Sequence, residues 1–306
     1  MNIQWYPGHM HKAGKEIKDI LPRVDLVIEV LDARIPFSSH NPLLADLRGA
    51  KPCIKVLSKS DLADPVITLQ WQQYLEREQN VKTLAISTQE PERTKQLVGL
   101  CQSLAPERGA ADKVVQVLIM GIPNVGKSTL INILAGRIIA KTGNEPAITK
   151  NQQRIDIGNG VALLDTPGML WPNVENKNSG FRLAVTGAIK DTAISHDQIA
   201  YFAAEYLLEA YPSALQTRFQ LETVPKDAEA FMCILGSKRG CLRAAGKIDT
   251  DKVAKILLTE LRSGALGRIS LETPAHMQRE LAELELIHAE KAAKKLARKQ
   301  KWRATV

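Results

Sequence analysis

Residues 117–134 read VLIMGIPNVGKSTLINIL, and the fold follows from how this stretch is parsed. The apolar run ending at Gly121 has the composition of a buried strand, and the run from Ser128 has the spacing of a helix. Between them, Gly121-x4-Gly126-Lys127-Ser128 matches a phosphate-binding loop in the strand–loop–helix context its mechanism needs. Backbone N–H groups of Asn124, Val125, Gly126, Lys127, Ser128 and Thr129 would then face the phosphates at the helix N-terminus. Lys127 would reach the β- and γ-oxygens, and the Ser128 hydroxyl would ligate Mg2+.

Such a loop commonly opens its domain, yet more than a hundred residues precede this one. They hold Val/Ile/Leu-rich runs at 24–33, 52–61 and 81–87, with helical spacing between at 65–79 and 92–104; the run at 113–121 leads into the loop. Beyond the loop, 153–158 and 161–168 form a hairpin around Asn159-Gly160. The alternation predicts a doubly wound α/β domain with a mostly parallel sheet. From about residue 176 the strand runs stop. Helical patterns at 195–212, 249–266 and 273–302 predict a smaller all-helical domain, giving a division into 1–175 and 176–306. The last helix opens with Thr273-Pro274, a cap followed by proline at the first helical position. Its Met277, Leu281 and Leu284 predict one packed face.

A phosphate loop alone does not choose between ATP and GTP. Ser58-Lys59-Ser60-Asp61, at the end of a predicted strand, is either a plain turn or a base-reading loop. Guanine offers N1–H and N2–H2 as adjacent donors that the Asp61 carboxylate could accept together, whereas adenine has no such pair. In the usual N-K-x-D signature, Lys lies along the base and Asn steadies the loop and N7; here Ser58 replaces that Asn. Ile86, Ser87 and Thr88, ending the next strand, would add a backbone N–H to guanine O6. In Asp165-Thr166-Pro167-Gly168, Asp165 would hold Mg2+ through water and the Gly168 N–H would sense the γ-phosphate. Thr149, between the two phosphate motifs, would complete the Mg2+ shell. These elements run base, base, phosphate loop, threonine, DTPG. A usual GTPase runs phosphate loop, threonine, DTPG, base. The parts are the same in rotated order, which close termini permit.

Hydrophobic content of 44% and charged content of 24% are those of a globular chain rather than a disordered one. No apolar core of a signal sequence follows the N-terminus and no run reaches ~18 apolar residues, so a cytoplasmic, non-membrane protein is expected. The four cysteines lack C-x2–4-C spacing, which argues against structural zinc. Net charge is +8, but residues 289–306 hold seven Lys or Arg against one Glu, leaving the rest nearly balanced. This points to a localised polyanion contact through Lys291, Lys294, Lys295, Arg298, Lys299, Lys301 and Arg303. Trp302 among them could stack on an exposed base. An ATP-using enzyme and an RNA-binding protein that holds nucleotide without hydrolysing it remain open on the motifs alone.

The rotated order, with WYPGHMHKA at 5–13, LDARIPFSSHNP at 31–42 and GIPNVGKSTLIN at 121–132, resembles the circularly permuted GTPases of the YlqF type over nearly the whole chain. The resemblance implies binding of GTP and GDP and hydrolysis stimulated by the large (50S) ribosomal subunit. It also implies a role in assembly of that subunit's precursor, with a helical C-terminal domain on ribosomal RNA and a monomeric chain. Asn124 matches the asparagine associated with K+ binding, and K+ becomes an expected activating ion. Met169 follows DTPG where many GTPases have a water-orienting glutamine; His9 matches the histidine proposed for that task. Ser58 and Ala147, in place of Asn and Gly, depart from the pattern. DARIP looks like a family marker at a strand end; no chemistry is assigned to it, and Asp32 and Arg34 are read as a loop lock.

Overall fold

The computed structural model describes residues 15, 17–109, 113–139, 153–166, 168, 170, 174–189 and 195–305, with backbone alone at 109, 245 and 298–305. Six strands form one sheet among these residues: β1 Leu26–Asp32, β2 Cys53–Ser58, β3 Val81–Ala85, β4 Val115–Gly121, β5 Gln153–Asp156 and β6 Val161–Asp165. Their order is β3-β2-β1-β4-β6-β5. All neighbours are parallel except β5, which pairs antiparallel with β6 in the expected hairpin. Every residue of β1 and β2 is buried, because helices cover both faces of a parallel sheet. Three charges lie in these two strands: Asp32 at the end of β1, and Glu29 and Lys55 within. Glu29 and Lys55 face each other in register, and each is paired: His40 Nδ1 lies 2.8 Å from Glu29 and Lys55 Nζ 3.0 Å from Glu78. Burial of a charge is tolerable only with such partners.

The chain walks outward from β1 to β3 and then returns to β4, beside β1. The crevice at the carboxyl ends of β1 and β4 is therefore the topological switch point, where open α/β sheets place ligands. Asp32 ends one of these strands and Gly121 the other.

Two helices begin where proline and a capping side chain coincide. Pro65–Leu75 is capped by Asp64, which accepts from Val66 N and Ile67 N, and Pro42–Arg48 by Asn41. Pro42–Arg48 and the single turn Pro36–Ser39 were absent from the sequence reading, since seven and four residues are too short to show a period. The helix expected over 195–212 ends at Ala210, and Pro212 starts a second, Pro212–Phe219.

After β6 the chain is helical. Lys177–Val185 leads to His196–Ala210, which packs against Ala228–Lys238 and Thr250–Ser263. Leu183 and Val185 join the sheet core to Ile199, Leu207, Phe231, Val253 and Leu257 in one apolar cluster. The final helix, Pro274–Thr305, corrects the expected packed face. Met277 is buried beside Trp71, but Leu281 is 40% exposed. Leu284 is half-buried, and every other described side chain from Leu281 to Ala297 is exposed. The reason is local: Glu280 ties the helix to Arg182, Asn176 and Asn178, and past that tie the helix runs out over solvent. No described helix is long and apolar enough to cross a membrane.

Candidate functional site

The phosphate loop leaves β4 at Gly121 and enters the helix Lys127–Ala135 through Gly126, whose φ of 95° suits glycine. No side chain caps this helix, so its first N–H groups are not taken by a cap and face the mouth of the crevice. The DTPG turn lies against the loop. A Cβ on Gly168 would sit 3.0 Å from Pro123 N and 3.1 Å from Pro123 Cα, with Lys127 Nζ at 3.3 Å. A side chain there would push the turn off the loop. Lys127 is buried, which pulls its ammonium pKa down, while the nearby Asp165 carboxylate pulls it up. A bound phosphate would complete that charge balance.

The base loop is fastened to the phosphate loop from behind. Lys59, at φ 55°, donates from Nζ to Asn124 O at 2.8 Å and to Asp32 Oδ2 at 2.9 Å. Ser58 Oγ lies 2.5 Å from Val125 O and 2.8 Å from Leu31 O. Both partners are carbonyls, and one hydroxyl hydrogen is shared between them, so Ser58 has no donor left for guanine N7. The hydroxyl fastens the base loop to the phosphate loop and to the end of β1. Ser60 N donates to Ile86 O at 3.0 Å, and Asp61 is half-buried with Gln89 Nε2 at 3.5 Å. One expectation is corrected: the Ile86 N–H donates to Leu57 O at 2.9 Å. It continues the β2–β3 pairing and cannot serve guanine O6. Ser87 and Thr88 are the donors left to propose in that stretch.

Mg2+ suits the donor set. The Ser128 hydroxyl, in the first helical turn, and the Asp165 carboxylate, whose strand pairs with β4 at Ile119, are the hard oxygen ligands this ion takes. When bound, it offsets charge on the β- and γ-oxygens. Thr129 follows on the same helical turn. Thr149, Met169 and His9 lie outside the described residues. Of the basic tail, Lys291, Lys294 and Lys295 are exposed on the last helix, which continues through Arg298, Lys299, Lys301, Trp302 and Arg303.

One pairing fits the reading of Asp32 and Arg34 as a loop lock, and one arrangement escaped the sequence. Asp32 and Arg34 of DARIP form a two-pronged ion pair (Nε–Oδ1 2.9 Å, Nη2–Oδ2 2.7 Å) directly behind Lys59; a charged pair at i, i+2 on a strand end was the available signal. Asn124 Nδ2 donates to Gly187 O at 3.0 Å. Arg262 holds the same turn, donating to Val185 O at 2.8 Å and Ala184 O at 2.7 Å. These bonds join residues more than sixty positions apart, and nothing local announces them.

Residues 116–209 match the family model described as 50S ribosome-binding GTPase. The fold is similar to GNP-bound YlqF from Thermotoga maritima, with a TM-score of 0.60 and 29% identity over 86% of this chain and 98% of that one. Phosphate, base and DTPG loops on a doubly wound sheet, met in this rotated order, define a circularly permuted P-loop GTPase. Over 289 residues the sequence is 42% identical to ribosome biogenesis GTPase A of Priestia megaterium, covering 92% of this chain and all of that one. The Thermotoga maritima protein of that name is 32% identical over 89% of this chain and 95% of its own length. The chain belongs to the ribosome biogenesis GTPase A family, and is an enzyme that hydrolyses GTP to GDP and phosphate.

Proposed function

We propose that this GTPase is an assembly factor for the large (50S) ribosomal subunit, binding its precursor particle and rRNA and being stimulated by it. The observation that carries this reading is the bond from Asn124 to Gly187 O, with Arg262 on the same turn. It ties the phosphate loop to the helical region that follows, so a change at the nucleotide has a route to a surface elsewhere. The relatives are named for ribosome biogenesis, and the matching family model is described as 50S ribosome-binding, which supports this choice of particle. In this reading residues 1–175 handle nucleotide and 176–306 handle RNA, with the basic tail from Lys291 to Arg303 as its electrostatic foot. The chain works as a cytoplasmic monomer.

Asp61 reads guanine, Lys59 lies along the base, and Ser128, Thr149 and Asp165 hold Mg2+ directly or through water. K+ bound through Asn124 adds positive charge near the β- and γ-phosphates, where an arginine finger acts in other GTPases. His9 orients the attacking water, a task methionine at 169 cannot perform. GTP hydrolysis measured with no particle, with 50S and with 30S subunits tests the proposal. At least tenfold stimulation by 50S alone is expected; equal rates in all three would end it. His9→Ala should keep GTP binding while losing the stimulated rate, since a positioned proton-transfer group is worth ~10²–10⁴. Exchanging KCl for NaCl at fixed ionic strength should slow turnover, and equal rates would leave Asn124 as scaffold only.

A further inference from the structure

Ser58 cannot donate to the base, so discrimination for guanine falls on Asp61 and Lys59. What holds these two in place is the question. Asp32 and Arg34 lie behind them. Arg34 is 2% exposed, and it grips Asp32 through Nε, Nη2 and its backbone N–H, at 2.9, 2.7 and 3.1 Å. Asp32 in turn holds Lys59 Nζ. The third guanidinium nitrogen, Nη1, is buried with no hydrogen-bond partner among the described residues. A buried N–H left unpaired costs stability, so its retention calls for a reason. The charge of Asp61 also acts on Arg34, after burial and Asp32. The stretch 269–271 spans the back of both loops, with Leu271 N donating to Arg34 O and Ile269 N to Leu62 O. Arg34 is thus fixed in register with the base loop rather than with the phosphate loop.

We propose that Arg34 is a positioning residue for base selection, its fork setting Asp32 on Lys59 and so fixing the loop that carries Asp61. Arg34 touches no nucleotide in this account; it acts through Asp32, Lys59 and Asp61. A simple loop lock would use the Asp32 pair alone. A selection device also needs Asp32 to hold Lys59 of the base loop, and a planar fork fixes Asp32 as an ammonium point charge cannot. The inference rests on Asp61 reading guanine.

The test compares equilibrium affinities of the full chain for GTP and for ITP, which lacks the 2-amino group and so offers Asp61 one donor instead of two. Both share the triphosphate, so the ratio isolates base reading from phosphate binding. Arg34→Gln should lower the GTP:ITP preference at least fivefold, with ITP affinity within twofold of the parent. Arg34→Lys, which keeps the charge and loses the fork, should lower it at least threefold, and decides alone if Arg34→Gln fails to fold. Equal weakening of both nucleotides, or an unchanged ratio, overturns the proposal and leaves Arg34 as a loop lock. Asp61→Asn is the reference: if it also leaves the ratio unchanged, the base-reading assignment itself has failed. A ratio that collapses in Asp61→Asn and survives in the Arg34 variants refutes only the role of Arg34.

Discussion

At the scale of single residues, the base loop shows how one substitution redistributes work. Ser58 spends its only hydroxyl hydrogen on carbonyls at 2.5 and 2.8 Å, so the proposed base reading leaves the guanine edge to Asp61. Hydrogen bonds to charge contribute roughly 1.5–3 kcal/mol each. Asp61→Asn turns one acceptor into a donor and should weaken GTP at least tenfold in a binding titration, while xanthosine triphosphate is accepted better; an unchanged GTP preference would remove this role. Asp32 carries a pH signature. Burial alone would raise its pKa, but Arg34 and Lys59 outweigh that and hold the carboxyl well below the usual carboxylate range. A depressed folded pKa adds stability above the ordinary value near 4 that is lost as pH falls toward the folded one. Asp32→Asn leaves Arg34 buried without its partner and should cost about 3–5 kcal/mol at pH 7. Its stability should fall less steeply than the parent's between pH 4 and 2.5, as read from urea melts; parallel curves would contradict the pairing. The sequence displayed Ser58 and Asp61 plainly, because a signature loop is local. It did not display the partners of DARIP, because Lys59 is a neighbour of Asp32 only across the sheet.

Among elements, the helix Lys177–Val185 holds the pivotal place, following the DTPG turn and carrying Arg182. That guanidinium donates to Leu271 O at 3.0 Å, to Glu280 Oε2 at 2.9 Å and to Glu280 Oε1 at 2.5 Å, and lies 3.2 Å from Glu272. Glu272 also receives Ser38 N at 2.9 Å and Ser38 Oγ at 2.5 Å. One buried cluster therefore ties this helix to the turn Pro36–Ser39 and to the start of the last helix. Arg182→Met would strand Glu272 without its cation and should destabilise the chain by about 3–5 kcal/mol. Adding Glu272→Gln should recover part of that loss in denaturant melts; strictly additive effects would mean the two side chains do not act together. The five parallel strands were legible, since a buried parallel strand is a continuous apolar run whatever its position in the chain, and β5 was legible from the Asn159-Gly160 turn that pairs it with β6. The packed face expected at Leu281 was not, because spacing records which residues share a face and not where the neighbouring body ends.

For the whole molecule, the proposed function turns on charge and coupling. Seven cations in 289–306 against a nearly balanced remainder make that tail the expected source of salt-sensitive attachment. If about four of them meet phosphates, deleting 289–306 should flatten the slope of log affinity against log salt by about three units. GTP affinity should stay as it is; an unchanged salt slope would place the attachment elsewhere. In the proposed function, nucleotide state at the phosphate loop reaches the helical region through Asn124, Gly187 and Arg262. Such coupling between sites is typically worth 5–150-fold in affinity, and it is reciprocal. The most direct measurement is 50S affinity of the full chain bound to a non-hydrolysable GTP analogue and bound to GDP, at one salt concentration. The account predicts affinities at least fivefold apart, narrowed in Arg262→Ala; equal affinities in the two nucleotide states would contradict it.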